Sequence, residues 1–291
     1  SLQFVISNKP SRKNILVPHA ITAVLRKHFS RFSFDINLIA FGVKNGESEK
    51  LAEKILRLQN GIVSLKLLKS DLQNRWKNRL NTSSILLFDS PQNFAEICKN
   101  LTWQNHKAMR YHHLVYTRDI TVADLEKIQD GFSIDNVGFL VNESEKSIEL
   151  ATSFMYTPEN CHLNQIKTIN TFKVTSMKWE KSIFYPEKYR DFHSCELVVG
   201  TTNLMFDIYP ALKEFIKITS KLSNHKYKLK FFETPSEMIK NGYKEVDFHI
   251  GLGGSEIDND FISGSSIATT EFKVFVPLGE PVSYTHLTLP T

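Results

Sequence analysis

The stretch "INLIAFGV" at Ile36–Val43, followed by "EKLAEKILRL" at Glu49–Leu58, decides the fold class of the first half of the chain. The first stretch is a short, strand-like apolar run. In the second, Leu51, Ile55 and Leu58 recur at helical spacing. The alternation of an apolar run with a helical stretch returns further along the chain, and such βαβα order predicts a parallel, doubly wound α/β sheet.

Three further stretches continue this alternation. "SSILLFDS" (Ser83–Ser90) is typical of a strand buried on both faces, and a helix is expected at Pro91–Lys99. "HHLVYTRD" (His112–Asp119) repeats the strand pattern, and a helix should begin at Thr121. "VGFLVNESEKSIELATSF" predicts two strands around the polar turn Asn142–Lys146.

The regular alternation predicts an amino-terminal α/β domain over residues 1–155. Residues 156–190 are mixed in character and contain Pro158 and Pro186, so we expect a connecting segment that packs on one domain. A second unit begins with the apolar run "CELVVG", which starts at Cys195.

The second unit also has strand and helix signals. In "FDIYPALKEFIKITSKL" an apolar face is predicted to pack on the sheet; it consists of Leu212, Phe215, Ile216 and Leu222. "YKLKFFE" is the next expected strand. In "TPSEMIKNG", Thr234 is a helix cap and Glu237 completes a capping box. "VDFHIGL" alternates apolar residues with Asp247, His249 and Gly251, which predicts a strand with one buried face, and "EFKVFVPL" closes the unit as another strand.

The glycine-containing stretch "VDFHIGLGGSEID" (Val246–Asp258) has the position of a ligand loop, because crevices in open α/β sheets lie at the carboxyl ends of strands. It lacks the last glycine of the dinucleotide pattern and the lysine of a P-loop. The acids that follow the glycines would repel a phosphate. Nucleotide binding is therefore disfavoured, while a plain glycine-serine turn and a ligand-facing loop both stay open.

Composition excludes several functional classes. The net charge of +5 comes from 36 basic and 31 acidic residues that are scattered, so no nucleic-acid partner is expected. No apolar run of about 18 residues is present, and none of these residues is expected to span a bilayer. The chain starts at Ser1 without a methionine or a signal-peptide core, which suggests a removed leader or a fragment.

Cysteine and histidine positions argue against a metal centre and against catalysis. The three cysteines have no zinc-type spacing, so we expect no metal and no cofactor; they are Cys98, Cys161 and Cys195. One disulfide with one free thiol fits an oxidising compartment, and buried free thiols are the alternative. "HSC" at His193–Cys195 is the one nominal nucleophile pair, and without GxSxG or HExxH we expect no enzyme.

Glycosylation at three sequons is expected only if the chain is secreted; they are Asn81, Asn100 and Asn142.

A longer segment carries a family resemblance. "INTFKVTSMKWEKSIFYPEKYRDFHSCELVVG" resembles the divergent ionotropic receptors of insects, chemosensory relatives of ionotropic glutamate receptors. The matching features are Asn170-Thr-Phe, Trp179, and Phe184-Tyr-Pro-Glu-Lys leading to Phe192-His-Ser-Cys. "MIKNGYKEVDFHIGL" and "SSIATTEFKVFVPLGEP" also follow the family's course, so that the resemblance covers Thr157–Pro281 and, more loosely, the earlier domain.

The resemblance implies the extracellular part of a ligand-gated cation channel at the plasma membrane. Residues 191–281 would be the first half of a periplasmic-binding-protein-like ligand-binding domain, Cys161 and Cys195 would form a disulfide, and residues 282–291 would be a non-native tail. The implied partners are a small chemosensory ligand and co-receptor subunits in a tetramer, with membrane attachment through segments outside this chain, which would stop before the pore. The alternative is a soluble solute-binding protein of the same fold.

The resemblance also locates expected ligand contacts. Glutamate receptors hold the α-carboxylate with an arginine whose place falls near Asn259, and no arginine follows Arg190. The bidentate grip on a carboxylate is therefore missing from this half, and an α-amino acid is disfavoured as the ligand. Backbone N–H groups around Gly254, with the side chains of Ser255 and Glu256, are the predicted contacts. Glu256 facing the cleft would favour a cationic ligand such as an amine.

Overall fold

The computed structural model describes residues 13–32, 35–43, 46–59, 61, 64–70, 82–100, 111–128, 136–161, 165–203, 211–234, 236–237, 246–252, 261–266 and 272–277. These residues form two compact units. Unit 1 comprises the described residues within 1–131, 136–152 and 166–186. Unit 2 comprises those within 153–165 and 187–291.

Unit 1 is built around an eight-stranded sheet. Its elements are, in chain order, α1 (Lys13–Val24), a π-helical turn (Leu25–Phe29), α2 (Ser30–Phe32), β1 (Asp35–Phe41), α3 (Glu47–Gln59), β2 (Ser64–Ser70), β3 (Ser84–Phe88), α4 (Pro91–Asn100), β4 (His113–Thr117), α5 (Val122–Ile128), β5 (Val137–Val141), β6 (Ser147–Phe154), β7 (Gln165–Lys173) and β8 (Lys178–Trp179).

The order of strands in this sheet is β2-β1-β3-β4-β5-β6-β7-β8. Strands β1 to β5 are parallel, β6 runs antiparallel to β5, and β8 runs antiparallel to β7. The α/β fold with a mostly parallel sheet, predicted from the alternation in sequence, is thus confirmed. Because β2 lies on one side of β1 and β3 on the other, the sheet has a topological switch point between β1 and β3.

Apolar side chains cover both faces of the parallel strands. On one face Leu38 belongs to the same buried cluster as Ala52 and Ile55 of α3. The other face is aromatic, with Phe88 stacked on Phe41 at 4.5 Å and met edge-on by Phe94 of α4 at 5.0 Å. All five residues of β3 are buried, as the apolar run predicts. Burial of each such large side chain stabilises the fold by about 1.5–3 kcal/mol.

The segment 156–190, which the sequence suggests as a connection, divides between the two units. Residues 166–186 belong to unit 1, where β7 and β8 extend the sheet. The physical reason is aromatic burial: Phe172, Trp179 and Phe184 are at most 4% exposed and join the main core. The Trp179 Nε1–H also donates a hydrogen bond to the Ala20 carbonyl at 3.1 Å.

Unit 2 has a five-stranded sheet of order β10-β9-β11-β13-β12. Its elements are β9 (Glu196–Thr202), α6 (Ala211–Leu222), β10 (Lys226–Phe232), β11 (Phe248–Leu252), β12 (Phe261–Ser266) and β13 (Phe272–Pro277). Strand β9 is parallel to β10 and β11, whereas β13 is antiparallel to β11 and β12.

Two side chains of unit 2 differ from expectation. Leu222 was expected on the packed face of α6 but is 73% exposed, because this last helical residue extends beyond the cluster that buries Leu212, Phe215 and Ile216. Asp247 was expected on an open strand face and is only 7% exposed. Its carboxylate accepts hydrogen bonds from the Val198 N–H at 2.6 Å and the Tyr156 hydroxyl at 3.4 Å, which compensates for its burial.

The start of unit 2 is cross-linked. Cys161 and Cys195 form a disulfide with an S–S distance of 2.03 Å, which is the pairing that the family resemblance implies. Cys195 is buried beside Tyr156, Phe192 and Leu197. Among the helices of the described residues, none has both the length and the apolar character needed to cross a bilayer.

Candidate functional site

A crevice opens at the carboxyl edge of the unit 1 sheet, with a volume of about 320 Å³. Its walls come from α1 and α3, and its base from residues at or just after the ends of β3, β4 and β5. The apolar part of the wall consists of Val17, Pro18 and Leu51. Open α/β sheets bind ligands at this edge and at the switch point, so the position itself marks a candidate binding site.

Asp89 lies directly after β3 and forms hydrogen bonds with the end of β1 and with the residues that follow it. Its N–H donates to the Phe41 carbonyl at the end of β1, at 3.1 Å. Its carboxylate accepts the Val43 N–H at Oδ2 (3.0 Å) and the Ser48 N–H at Oδ1 (2.7 Å). Ser48 lies in the first turn of α3, so Asp89 caps this helix from a strand that is distant in sequence.

Gly42, Val43 and Gly46–Ser48, here called the glycine loop, lie around that carboxylate; Lys44 and Asn45, between them in sequence, lie outside the described residues. A Cβ atom on Gly42 would lie 1.8 Å from Asp89 Oδ2, and one on Gly46 would lie 2.4 Å from the same atom. Both distances are far inside van der Waals contact. A side chain at either position would displace the Asp89 carboxylate from its two hydrogen bonds, which favours glycine at both.

A second polar contact lies at the ends of β4 and β5. The Tyr116 hydroxyl donates a hydrogen bond to Glu143 Oε2 at 2.7 Å, and Tyr116 is 8% exposed. Burial, and after it the negative charge of Glu143, raises the pKa of Tyr116 well above its ordinary value. The phenol stays protonated across the physiological range and is fixed as a donor to the glutamate.

Exposed ion pairs surround the crevice. Glu47 pairs with Lys50 at 3.3 Å, and the Glu53 carboxylate lies 3.9 Å from the Arg57 guanidinium. Pairs this exposed contribute about 0–1 kcal/mol each, so they shape the rim and add little stability. Lys54, also on the wall, has no ion-pair partner among the described residues. The half-buried charges at the base, in contrast, are the carboxylates of Asp89 and Glu143.

The ligand contacts predicted from the sequence cannot be compared with this crevice, since Gly254, Ser255, Glu256 and Asn259 lie outside the described residues. Of the sequons, Asn81 lies outside them as well, and Asn100 is the last residue of α4. Asn142 is exposed just after β5, and its Nδ2 donates to Glu149 Oε2 at 2.8 Å.

The sequence reasoning missed the crevice, although a signal was present. "FGVKNGES" has two glycines between a strand and a helix, and "FDS" places a carboxylate directly after another buried strand. The strand order places the glycines after β1 next to the carboxylate after β3. The alternation of strands and helices along the sequence does not reveal that order. Within the described residues, no group of three or more His, Cys, Asp or Glu side chains has an arrangement that would hold a metal ion.

The first residues that carry the family resemblance, Asn170 to Phe184, serve the fold of unit 1. Asn170 is 2% exposed and makes four hydrogen bonds. Its Nδ2 donates to the carbonyls of Lys181 and Ile183 at 2.9 and 3.0 Å, and its Oδ1 accepts the N–H groups of Thr171 and Lys181 at 2.9 and 3.0 Å. The motif thus fixes the geometry of β7, β8 and the segment that follows them.

Comparison with known proteins identifies the family. A family model described as "Putative ionotropic receptor, ligand binding domain" matches residues 7–191, which is more than half of the chain. The match includes every residue named above as lining the crevice, from Val17 to Glu143. A search of curated proteins finds no significant match. The chain therefore belongs to the ionotropic receptor family and contains the ligand-binding domain that the matching model describes.

Proposed function

We propose that this chain is the extracellular ligand-sensing part of a ligand-gated cation channel of the chemosensory ionotropic receptor type. We further propose that its ligand occupies the crevice at the carboxyl edge of the unit 1 sheet. The observation that carries this proposal is the overlap between the family match over residues 7–191 and a crevice lined entirely by residues of that range.

The size of the crevice bears on the ligand. Binding pockets for small molecules commonly measure roughly 300–1,000 Å³, and this one, at about 320 Å³, lies at the small end. A compact polar molecule fits such a space, with Leu51 and Val17 on its apolar side and Tyr116 and Glu143 at the strand ends. The loop containing Gly254, Ser255, Glu256 and Asn259 stays a second predicted contact region.

The proposed setting is the outer face of the plasma membrane, in a tetramer with co-receptor subunits. Sequons at Asn81, Asn100 and Asn142 are then proposed glycosylation sites. Secretion of the chain from insect cells, followed by endoglycosidase treatment, tests this setting. A faster-migrating band after treatment is expected, and an unchanged band would argue against glycosylation.

The ligand site is tested by blocking the crevice in the complete receptor. Lys54→Trp places a large ring on the crevice wall at an exposed position, where folding should tolerate it. Lys178→Trp is the matched control, because Lys178 is an exposed lysine of unit 1 that does not line the crevice. Both variants are expressed in oocytes with co-receptor subunits, and stimulus-evoked current is recorded across a panel of small amines, acids and neutral odorants.

We expect Lys54→Trp to raise the half-maximal stimulus concentration by about tenfold or more, equivalent to about 1.4 kcal/mol of binding free energy. Lys178→Trp should match the wild type, and surface labelling should show equal amounts of all three proteins. Equal dose–response curves for Lys54→Trp and the wild type would exclude the crevice as the ligand site.

A further inference from the structure

The glycine loop has the geometry of an anion receptor. A loop that leads from a parallel strand into a helix, with backbone N–H groups directed inward and glycines that allow close approach, is the arrangement that cradles phosphates in many α/β proteins. Here the N–H groups of Val43 and Ser48 point at one carboxylate, that of Asp89, at 3.0 and 2.7 Å. The loop therefore already holds an anion, and that anion is part of the chain.

The two glycines of the loop also lie close to the Asp89 carboxylate. The three atoms nearest to a Cβ on Gly42 would all be Asp89 atoms, at 1.8, 2.2 and 2.7 Å. At Gly46, Asp89 Oδ2 is again the nearest atom, at 2.4 Å. The space that a phosphate or an external carboxylate would need is thus filled by the Asp89 side chain.

The charge of Asp89 is held by backbone dipoles. In the part of the chain that the structure describes, no lysine, arginine or histidine forms an ion pair with Asp89. Asp89 is half-buried at the base of the crevice, and the second carboxylate there, Glu143, is satisfied by the Tyr116 hydroxyl. An anionic group brought to this point would meet a fixed negative charge and no free N–H donor from Val43 or Ser48.

We propose that Asp89 is the specificity-determining residue of the crevice. Its carboxylate is an internal ligand of the glycine loop, so the crevice accepts a neutral or cationic group at the switch point and excludes a carboxylate or a phosphate there. This inference rests on the proposed function, since it assigns a selectivity to the same crevice.

Removal of the internal ligand tests the inference by chemical rescue. Asp89→Ala removes only the carboxyl group and leaves a space of about the size of a formate ion, next to the two N–H groups that the carboxylate bound. Thermal unfolding of the chain is measured in sodium acetate or sodium formate against sodium chloride at equal ionic strength. Formate should raise the Tm of Asp89→Ala by roughly 3 °C, acetate, which is larger by a methyl group, should raise it less, and both should leave the wild type unchanged.

Asp124→Ala is the matched control. The Asp124 carboxylate, which is half-buried like that of Asp89, also accepts bonds at a helix start, from the Thr121 N–H at 3.1 Å and the Thr121 hydroxyl at 2.7 Å, but both donors belong to one residue of its own turn. Its removal leaves one backbone N–H without its acceptor instead of two that converge, so formate should rescue this variant less. If formate raises the Tm of Asp89→Ala by no more than that of Asp124→Ala, the glycine loop is not an anion receptor and the inference is wrong.

A second variant keeps the inference testable even if Asp89→Ala does not fold. Gly42→Ala inserts a methyl group where the Asp89 carboxylate lies, and it should lower the Tm of the otherwise wild-type chain by more than 5 °C. In the double variant Gly42→Ala/Asp89→Ala the clash is gone, so the additional loss caused by Gly42→Ala should fall by at least half. A Gly42→Ala chain with the wild-type Tm would show that the carboxylate does not occupy the loop.

Failure of this inference is distinguishable from failure of the proposed function. Rescue by formate reports on the glycine loop alone, whatever the natural ligand is. If Lys54→Trp reduces the current but formate does not rescue Asp89→Ala, the crevice remains the ligand site and Asp89 is rejected as the residue that determines its selectivity. If formate rescues Asp89→Ala but Lys54→Trp does not reduce the current, Asp89 remains the internal ligand of the glycine loop and the crevice is rejected as the binding site of the receptor's ligand.

Discussion

At the residue scale, single polar side chains in buried or half-buried positions join separate parts of the chain through hydrogen bonds. Asn170 uses both donors and its acceptor oxygen within one small region, and Asp89 and Asp247 each bind backbone N–H groups of a neighbouring strand or loop. A buried polar atom with no such partner costs free energy. The two ring nitrogens of His225 are in this situation, as buried atoms without a hydrogen-bond partner among the described residues.

His225 makes the stability of unit 2 depend on pH. It is 8% exposed and packs edge-on against Phe192 at 5.5 Å. Burial lowers its pKa from 6.5 to about 4, with the Asp247 charge opposing the shift. Because the pKa is lower in the folded state, the unfolded chain binds a proton that the folded chain does not, between about pH 6.5 and pH 4. The contribution of neutral His225 to the free energy of unfolding is fully present above about pH 6.5, and it decreases as the pH falls toward 4.

His225→Leu should remove this dependence. Leucine fills the apolar site without a titrating group or an unsatisfied nitrogen, so the variant should equal or exceed the wild type in stability at pH 7.5. At pH 4.5 the variant should be more stable by up to about 2 kcal/mol. Urea unfolding followed by circular dichroism at the two pH values measures the difference. The same wild-type-minus-variant difference at both pH values would show that His225 does not couple folding to protons.

At the element scale, the disulfide restrains the beginning of unit 2. It joins Cys161 to Cys195, 34 residues apart, just before β9. On the chain-entropy account, a closed loop of this length stabilises the folded state by about 4 kcal/mol relative to the open chain.

The double variant Cys161→Ala/Cys195→Ala should therefore lose roughly 2–4 kcal/mol of unfolding free energy. Urea unfolding of the wild type, with and without a reducing agent, should reproduce the loss. The control is the double variant itself, whose unfolding curve should not respond to the reductant. If the reducing agent leaves the urea concentration at the wild-type unfolding midpoint unchanged, the disulfide contributes no stability.

The sequence predicts best those elements whose patterning is strongest. The continuous apolar run of β3 and the helical periodicity of α3 both appear in the structure within a residue or two of their expected bounds. The strands β7 and β8 were not predicted, because the burial of Phe172 and Trp179 against a distant helix cannot be inferred from a mixed, proline-containing segment. Asp247 was misplaced for a similar reason, since its partner Val198 is 49 residues away.

The candidate site was harder to predict than the fold. The sequence contains two glycine-rich strand ends, at Gly42–Gly46 and Gly251–Gly254, and only the second was considered as a ligand loop. The first becomes a site through Asp89, which lies 46 residues from Val43. This contact exists because β1 and β3 are neighbours in the sheet, and the neighbour relation follows from the strand order.

At the scale of the whole molecule, the chain consists of two α/β units, each with its own sheet and core. The family match ends at residue 191, so it covers most of unit 1 and stops where β9 of unit 2 is about to begin. Two candidate ligand regions therefore remain: the crevice in unit 1, and the predicted loop around Glu256, which lies outside the described residues.

Hydrogen–deuterium exchange of the secreted chain, with and without the stimulus that best activates the complete receptor, separates these two regions most directly. A ligand in the crevice should slow exchange in peptides from Gly46–Gln59 and His113–Thr117, and Lys54→Trp should abolish that effect. Slowed exchange confined to peptides from Val246–Pro277 would contradict the account, because the ligand would then bind outside the unit 1 crevice.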